Sequence, residues 1–577
     1  MTFNVDEKRA KILDASGHCL VLGGPGSGKT TLALMKGIRR IEEGLKSGQS
    51  VLFLSFSRAA VGRIADALKN TECSAQVRAS LAIQTFHSFF WYILRSHGYL
   101  LGAPHQLSIL ASHDEKAMAG GINSSSPDWA AWETERLALF KRDGRLAFDL
   151  FAPLTRELLS KATRLRQRIS ACYPLVIVDE AQDTSSEQWG CMKLLAEHSQ
   201  IICLADLDQM IYDHLPGVGA QRVAEIRDAL APCEVDLGTD NNRSPGTEIL
   251  HFARDVLNGQ VRGAGYIGVS RHRFHPDAAT RDMAIRQSVG IVRTRVRTQL
   301  GREPDNIAVL ASYGKGVAII SAALRAPNPI THHVLFDEAV VLLSARFAAY
   351  LLEPKAASDR REQLAVSLDL LADTQRAKGT MTALASAKKF RKWAARTRAG
   401  SAPSVNMIAA LNSLLDAIAS TPLTGSPAKD WIRIKRDLRA TPDALLRVVA
   451  DHLDYLVAFN RGERISASLA EAWRTHSSYR GARLALDNAL AQEQLLSSGE
   501  ATGGIHVMNM HKAKGKQFDG VVLFRSQYSS PFVWRDDPAP YSRSRKLLHV
   551  AISRARVHVL VLEEAFPACD IVGSHVL

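Results

Sequence analysis

The letters GGPGSGKTT, Gly23 to Thr31, stand between the apolar run CLVL and the helical pattern TLALMKGIRRIEE. Glycines at this spacing let successive backbone N–H groups turn toward phosphate oxygens, and the helix N-terminus adds partial positive charge. The pattern G-x-x-x-x-G-K-[ST] assigns Gly23, Gly24, Pro25, Gly26, Ser27 and Gly28 to a phosphate cradle. Lys29 then reaches the β- and γ-phosphates, and the Thr30 hydroxyl becomes a Mg²⁺ ligand. Farther along, the apolar run PLVIV ends in DEAQD. There Asp179 suits the Mg²⁺ shell, while Glu180 suits orienting and activating the water that attacks a γ-phosphate. Together the two motifs predict hydrolysis of a nucleoside triphosphate.

Such groups need strands to present them. CLVLGG, SVLFLSFS, PLVIVDEAQD and QIICLADLDQ are short Val-, Ile-, Leu- and Phe-rich runs that stop where Gly or polar residues begin. Buried parallel strands joined by helices have this pattern, so the expected class is α/β, with functional loops at the strand ends. From Trp91 to about Ser170 the text turns helical and basic, as in RELLSKATRLRQRIS, which predicts an insertion. Strand-like runs return at NIAVLASY, GVVLFRS and HVLVLEEA, around a long Ala-, Leu- and Arg-rich helical stretch. The expected division is residues 1–90 and 171–245 for one α/β domain, interrupted by 91–170. Residues 246–352 and 501–577 form the second, interrupted by 353–500.

Length of 577 residues exceeds what one hydrophobic core organises. Apolar content of 46% and charged content of 23% are ordinary for globular protein, which argues against wholesale disorder. A net charge of +14 favours a polyanionic partner. The seven cysteines (Cys19, Cys73, Cys172, Cys191, Cys203, Cys233 and Cys569) include no C-x-x-C pair, against a disulfide framework or a zinc site. No secretory leader is visible, and the apolar run VVLLSARFAAYLL is broken by Arg346. These features give a reducing cytoplasm as the expected compartment, with no membrane partner.

In order along the chain, GGPGSGKTT, SFSRAA, TFHSFF, DEAQD, ADLDQMIY, NNRS, NMHKAKGKQFD and HVAISRAR resemble the motifs of the UvrD/Rep-like superfamily 1 DNA helicases. The resemblance implies two RecA-like domains with ATP between them, and helical insertions in each. It implies movement 3′ to 5′ along single-stranded DNA, driven by ATP with Mg²⁺, and action at junctions of single- and double-stranded DNA. Carried over position by position, Gln209 senses the γ-phosphate. Arg243 and Arg554 reach it from opposite sides, a role that suits a planar, permanently charged guanidinium. Gln517, where the family usually has Glu, falls near the ribose. Phe56, Thr85, His87, Tyr212, His214 and His511 match DNA-side positions, where flat rings stack on bases without reading sequence. Phe56 has a second reading as a core residue at a strand end. His214 replaces a tryptophan usual in the family.

The departures cluster around the base. Glu7 stands where relatives place a glutamine that reads adenine, and Thr31 and Asn242 stand where they sandwich it between Arg and Tyr. An ionised Glu7 accepts hydrogen bonds but cannot donate one to a ring nitrogen. The expected consequence is weaker adenine discrimination or a high KM for ATP. The segment SAKKFRKWAARTRAG has two readings: a duplex-contacting basic face, or a solvated helix with Phe390 and Trp393 packed inward.

An alternative from another class is a nucleotide-hydrolysing regulatory subunit that controls a nuclease partner without processive unwinding. Some bacterial antiphage systems pair compact UvrD-like proteins with nucleases in this way. The short stretch after AISRAR leaves no room for a RecB-type nuclease domain within this chain. An inert scaffold would require degraded catalytic positions, and Lys29, Asp179, Glu180, Gln209, Arg243 and Arg554 are all present.

Overall fold

The computed structural model describes residues 5–56, 58–69, 74–211, 218–238, 240–325, 327–335, 339–356, 359–457, 461–496 and 503–577. Contacts divide the chain into two compact units, each assembled from separate stretches. One comprises residues 1–94, 152–335 and 498–577, and the other residues 95–151 and 336–497.

The first unit is built on two six-stranded sheets whose strands all pair in parallel. One contains β1 (Cys19–Leu22), β2 (Val51–Ser55), β3 (Leu81–Thr85), β6 (Leu175–Val178), β7 (Gln200–Ala205) and β8 (Cys233–Asp236). Its order is β3-β2-β6-β7-β1-β8. The apolar runs form its centre: every residue of β2 and β6 is buried, as a sheet covered on both faces requires. The chain crosses from β1 to β2 through the helix Lys29–Glu42, passing over β7 and β6. Strand order therefore reverses at β1, and a crevice opens at the carboxyl ends of the strands. Gly23, Asp179 and Asp206 follow directly from β1, β6 and β7 at that edge.

The second sheet contains β9 (Val269–Phe274), β10 (Asn306–Ala311), β11 (His332–Leu335), β12 (Gly504–Asn509), β13 (Phe518–Arg525) and β14 (Ala555–Glu564). Its order is β11-β12-β10-β13-β14-β9. Its core joins Val521, Leu523, Val559 and Val561 to Phe252 of the helix Ile249–Asn258 and Leu548 of the helix Ser542–Ile552. The expected α/β class with parallel sheets flanked by helices is the class observed.

The second unit is mainly helical. The helix Ala339–Leu352 is buried on nearly all sides, among residues of the helices Arg360–Lys378, Asn406–Ala419 and Ala444–Val457. Arg346 interrupts its apolar run because partners are waiting for it. The guanidinium pairs with Asp114 and with Asp487 at 2.9 Å, and donates to His113 Nε2 at 2.9 Å. Paired and hydrogen-bonded, the charge is tolerated at depth. Among the described residues, no helix is long and apolar enough to cross a membrane.

The stretch 95–151 is not wholly helical: β4 (Ser108–Leu110) and β5 (Arg145–Ala147) form a small parallel pair. This unit also ends earlier than the basic text suggests. The helices Phe151–Lys161 and Thr163–Cys172 lie almost wholly in the first unit. Their arginines serve ion pairs there, Arg156 with Glu187 at 2.9 Å and Arg166 with Glu197 at 3.0 Å. SAKKFRKWAARTRAG lies mainly in the helix Met381–Arg398, where Phe390 is buried and Trp393 packs partly against the same core. Arg391 pairs with Asp369 and Asp373, and Arg398 with Glu362 and Asp369, so part of the basic run is spent on neighbouring helices.

Candidate functional site

The phosphate loop has the backbone its glycines predict. Gly26 and Gly28 take φ of 84° and 91°, a left-handed conformation that side chains disfavour, and Gly28 caps the helix Lys29–Glu42. The loop is also pinned from outside: Gly24 N donates to Gly238 O and Asn242 N to Gly26 O, at 2.9 and 3.0 Å. Lys29 Nζ donates to the loop carbonyls of Gly23 and Gly24, and lies 3.3 Å from Asp206 Oδ2. Ser27 Oγ is buried with no hydrogen-bond partner among the described residues. A curled, glycine-rich loop with an ammonium and an unmatched hydroxyl suits a polyphosphate chain. Thr30 is the second residue of the helix Lys29–Glu42, and Asp179 stands buried just past the end of β6 with Ser55 Oγ 3.3 Å from its Oδ2. A hard divalent cation takes such oxygen donors, so the pair fits Mg²⁺.

Glu180 follows Asp179 with φ 53° and ψ 42°, an uncommon conformation for a non-glycine residue. Gln182, wholly buried, donates to Glu180 Oε2 at 2.7 Å and accepts from Asp206 N at 3.1 Å. Asp206 is the residue the sequence reading passed over. It is 1% exposed, accepts from Gln209 Nε2 at 2.6 Å and faces Lys29. Burial pushes its carboxyl upward, but Lys29, His549 and the Gln209 hydrogen bond outweigh this and hold it below the usual carboxylate range. The clue was present in LADLDQ, an acid at the end of an apolar run, just as Asp179 ends LVIV.

Groups from the second sheet meet this edge. Arg554, 1% exposed, donates to Gln209 Oε1, to Ser553 Oγ at 2.9 Å and to Val550 O at 2.9 Å. Arg243 donates to Ser553 O at 2.8 Å while its backbone lies against Gly26. Lys514 bridges to the Asp183 carboxylate and to Gln209 O, the latter at 2.6 Å. Asp183 is pushed up to about 7 by burial, against the pull of Lys514 and with the added repulsion of Glu180. Lys29, Asp206, Gln209 and Arg554 thus form one hydrogen-bonded chain from the phosphate loop to the entrance of β14.

The remaining predicted positions spread outward. Glu7, on the helix Glu7–Asp14, is exposed, as are Thr31 and Asn242. The buried side chain of that first helix turn is Arg9, which pairs with Asp6 and, at 2.7 Å, with Asp240. Gln517 Oε1 accepts from Arg556 at 3.0 Å. Phe56 is half-buried, its ring 5.1 Å from that of buried Phe86, while His87 is exposed. Thr85 Oγ1 accepts from Ser88 N at 3.1 Å and so starts the helix Phe86–His97. His511 stacks on Trp534 at 5.7 Å, and Arg543 lies 4.8 Å from the same indole. Tyr212 and His214 lie outside the described residues. Trp534 escaped the sequence reading because SSPFVWRDDP carries no spacing that separates a site aromatic from a loop aromatic.

Two RecA-like parallel sheets meeting over a phosphate loop define the class of phosphate-loop nucleotide-binding folds. Comparison with known families takes this further. The UvrD/REP helicase N-terminal domain matches residues 4–138 and 128–218, and the UvrD-like helicase C-terminal domain matches residues 504–562. The chain thus carries matches to both the N-terminal and the C-terminal domains of UvrD/Rep-like helicases. It is 26% identical over 298 residues to DNA helicase II of Haemophilus influenzae, covering 44% of this chain and 40% of that protein. It is 27% identical over 247 residues to ATP-dependent DNA helicase Rep of Buchnera aphidicola, covering 37% of each. In these two comparisons the chain spans well under two thirds of the relative's length. DNA helicase II of Rickettsia typhi is 22% identical over 642 aligned positions, covering 96% of this chain and 91% of that protein.

Proposed function

We propose that this chain is an ATP-dependent DNA helicase that moves 3′ to 5′ along single-stranded DNA. The observation that carries the reading is the convergence of Lys29, Asp179, Glu180, Gln209, Arg243 and Arg554 at one edge of the phosphate-loop sheet. In this reading Gly23–Thr31 binds the phosphates, Lys29 turns from its loop carbonyls toward the β- and γ-phosphates, and Glu180 orients the attacking water. Thr30 and Asp179 are the residues that would hold Mg²⁺, which supplies charge neutralisation at the phosphate oxygens when bound. Arg554 and Arg243 stabilise charge developing on the transferred phosphoryl group. Gln209, bonded to both Asp206 and Arg554, couples the state of the phosphate to the second sheet.

DNA lies, in this reading, along Phe56, Thr85, His87 and His511, with Trp534 and Arg543 extending the stacking surface beside His511. What supports this side is its position at the carboxyl ends of β2, β3 and β12, together with a net charge of +14. Strand separation on duplexes with a 3′ or a 5′ single-stranded tail tests the proposal. ATP-dependent unwinding of the 3′-tailed substrate alone is expected; unwinding only from a 5′ tail would reverse the assigned polarity.

A further inference from the structure

The helix Ala220–Leu230 buries Val223, Ile226 and Leu230, and with them Arg222, which is 1% exposed. Arg222, Ile226 and Leu230 stand at successive i, i+4 positions and so share one face of the helix. An apolar residue would fill the first of these positions without taking a charge out of water. What the arginine adds is therefore its contacts. Its Nε donates to Thr184 O at 3.2 Å, and its terminal nitrogens reach Ser186 Oγ at 3.5 Å and the Glu225 carboxylate.

Thr184 is wholly buried and closes the turn Ala181–Asp183, its Oγ1 donating to Ala181 O at 2.7 Å. At the mouth of the helix Ala220–Leu230, Gly219 N donates to Gln182 O at 2.9 Å. The start of one helix thus grips the DEAQDT turn at two points, Gln182 O and Thr184 O. The Gln182 side chain continues the line, donating to Glu180 Oε2 at 2.7 Å and accepting from Asp206 N at 3.1 Å. Immediately before this helix, the sequence carries Tyr212 and His214, two positions matched to the DNA side. One bond between helix and turn would pass on a displacement loosely, as about a pivot. Two fix orientation as well, and Arg222 supplies the second.

We propose that Arg222 is a positioning residue for DNA-stimulated hydrolysis: it locks the helix Ala220–Leu230 to the turn Ala181–Asp183, so that a single strand engaging the segment before the helix sets the Glu180 carboxylate through Gln182. The inference rests on the helicase reading above and adds a second route beside Gln209. Without DNA, the bonds of Gln182 to Glu180 and to Asp206 N hold the acid by themselves. The basal rate is then independent of Arg222, and the stimulated rate is not.

Arg222→Met keeps an unbranched apolar stem and removes the fork. Steady-state hydrolysis over a range of ATP concentrations, with and without saturating oligothymidylate, is measured beside oligothymidylate affinity and thermal melting. Basal kcat and the KM for ATP should stay within about twofold and oligothymidylate affinity within about threefold, while stimulation falls at least about threefold. Stimulation shared in full by the variant overturns the inference alone. No stimulation of the unsubstituted protein overturns the helicase reading and the inference with it. Basal and stimulated rates lowered by one common factor would make Arg222 merely structural, and a basal rate raised to the stimulated level would make it a restraint; either result overturns the proposal. Should Arg222→Met not fold, Arg222→Lys is read in the same way. Its single ammonium cannot hold Thr184 O, Ser186 Oγ and Glu225 in the arginine's planar geometry, so reduced stimulation is again expected and unchanged stimulation contradicts the proposal.

Discussion

Glu180 holds a left-handed backbone conformation that a non-glycine residue adopts only when its surroundings impose it. Gln182 fixes its carboxylate at 2.7 Å, so the acid is aimed as well as charged. Glu180→Gln preserves size and the hydrogen bond but removes the base. Hydrolysis should fall at least about 100-fold while nucleotide affinity stays within about threefold, as steady-state turnover and equilibrium binding would report. A second prediction belongs to the base end of the nucleotide. Glu7, Thr31 and Asn242 are all exposed, and none offers an aromatic or guanidinium plane to adenine. Rates with ATP, GTP, CTP and UTP should lie within about tenfold of one another at equal concentration, since a single lost contact is worth about 1–2 kcal/mol. Strict preference for ATP would show that other residues read the base.

The phosphate loop makes a sharper test at the level of the element. A Cβ on Gly26 would stand 3.1 Å from Arg243 Cβ and 3.3 Å from its backbone N, at a φ of 84°. Gly26→Ala therefore strains the loop and presses on the arginine together. Nucleotide affinity should weaken by about tenfold or more, with little change in the far-ultraviolet circular dichroism, because strain at such a position costs about 1–3 kcal/mol. The same loop shows what was legible in the letters. Its glycines, its lysine and the acids after LVIV declare themselves because parallel strands are buried and their ends are marked by abrupt polarity. The strands the letters concealed are mostly edges: β3, β8, β9 and β11 each pair on one side only. An edge strand admits polar residues, and VSRHRF of β9 has no apolar run to find. Asp206 is marked in the letters only as an acid ending an apolar run. Its contacts with Lys29 and Gln209 join separate elements, and spacing within one segment carries no record of that.

At the scale of the whole molecule, Lys514 ties the second sheet to the first through Asp183 and Gln209 O. Asp183 is pushed up to about 7, above its unfolded value of about 4, so the folded protein binds the extra proton across that window. Its contribution to stability is present below about pH 4 and is lost as pH rises through about 7. Asp183→Asn removes this dependence, and its melting temperature relative to the unsubstituted protein should rise from pH 5 to pH 8. A difference that stays constant over that range would mean that Asp183 does not titrate there. The central claim is that nucleotide hydrolysis and single-stranded DNA belong to one machine, joined through Gln209. Its most direct measurement is the rate of ATP hydrolysis with and without a single-stranded oligonucleotide at low salt. The rate should increase at least about tenfold with the single strand, and this stimulation should fade as salt rises, because phosphate contacts release counterions. A rate that single-stranded DNA leaves unchanged would contradict the account.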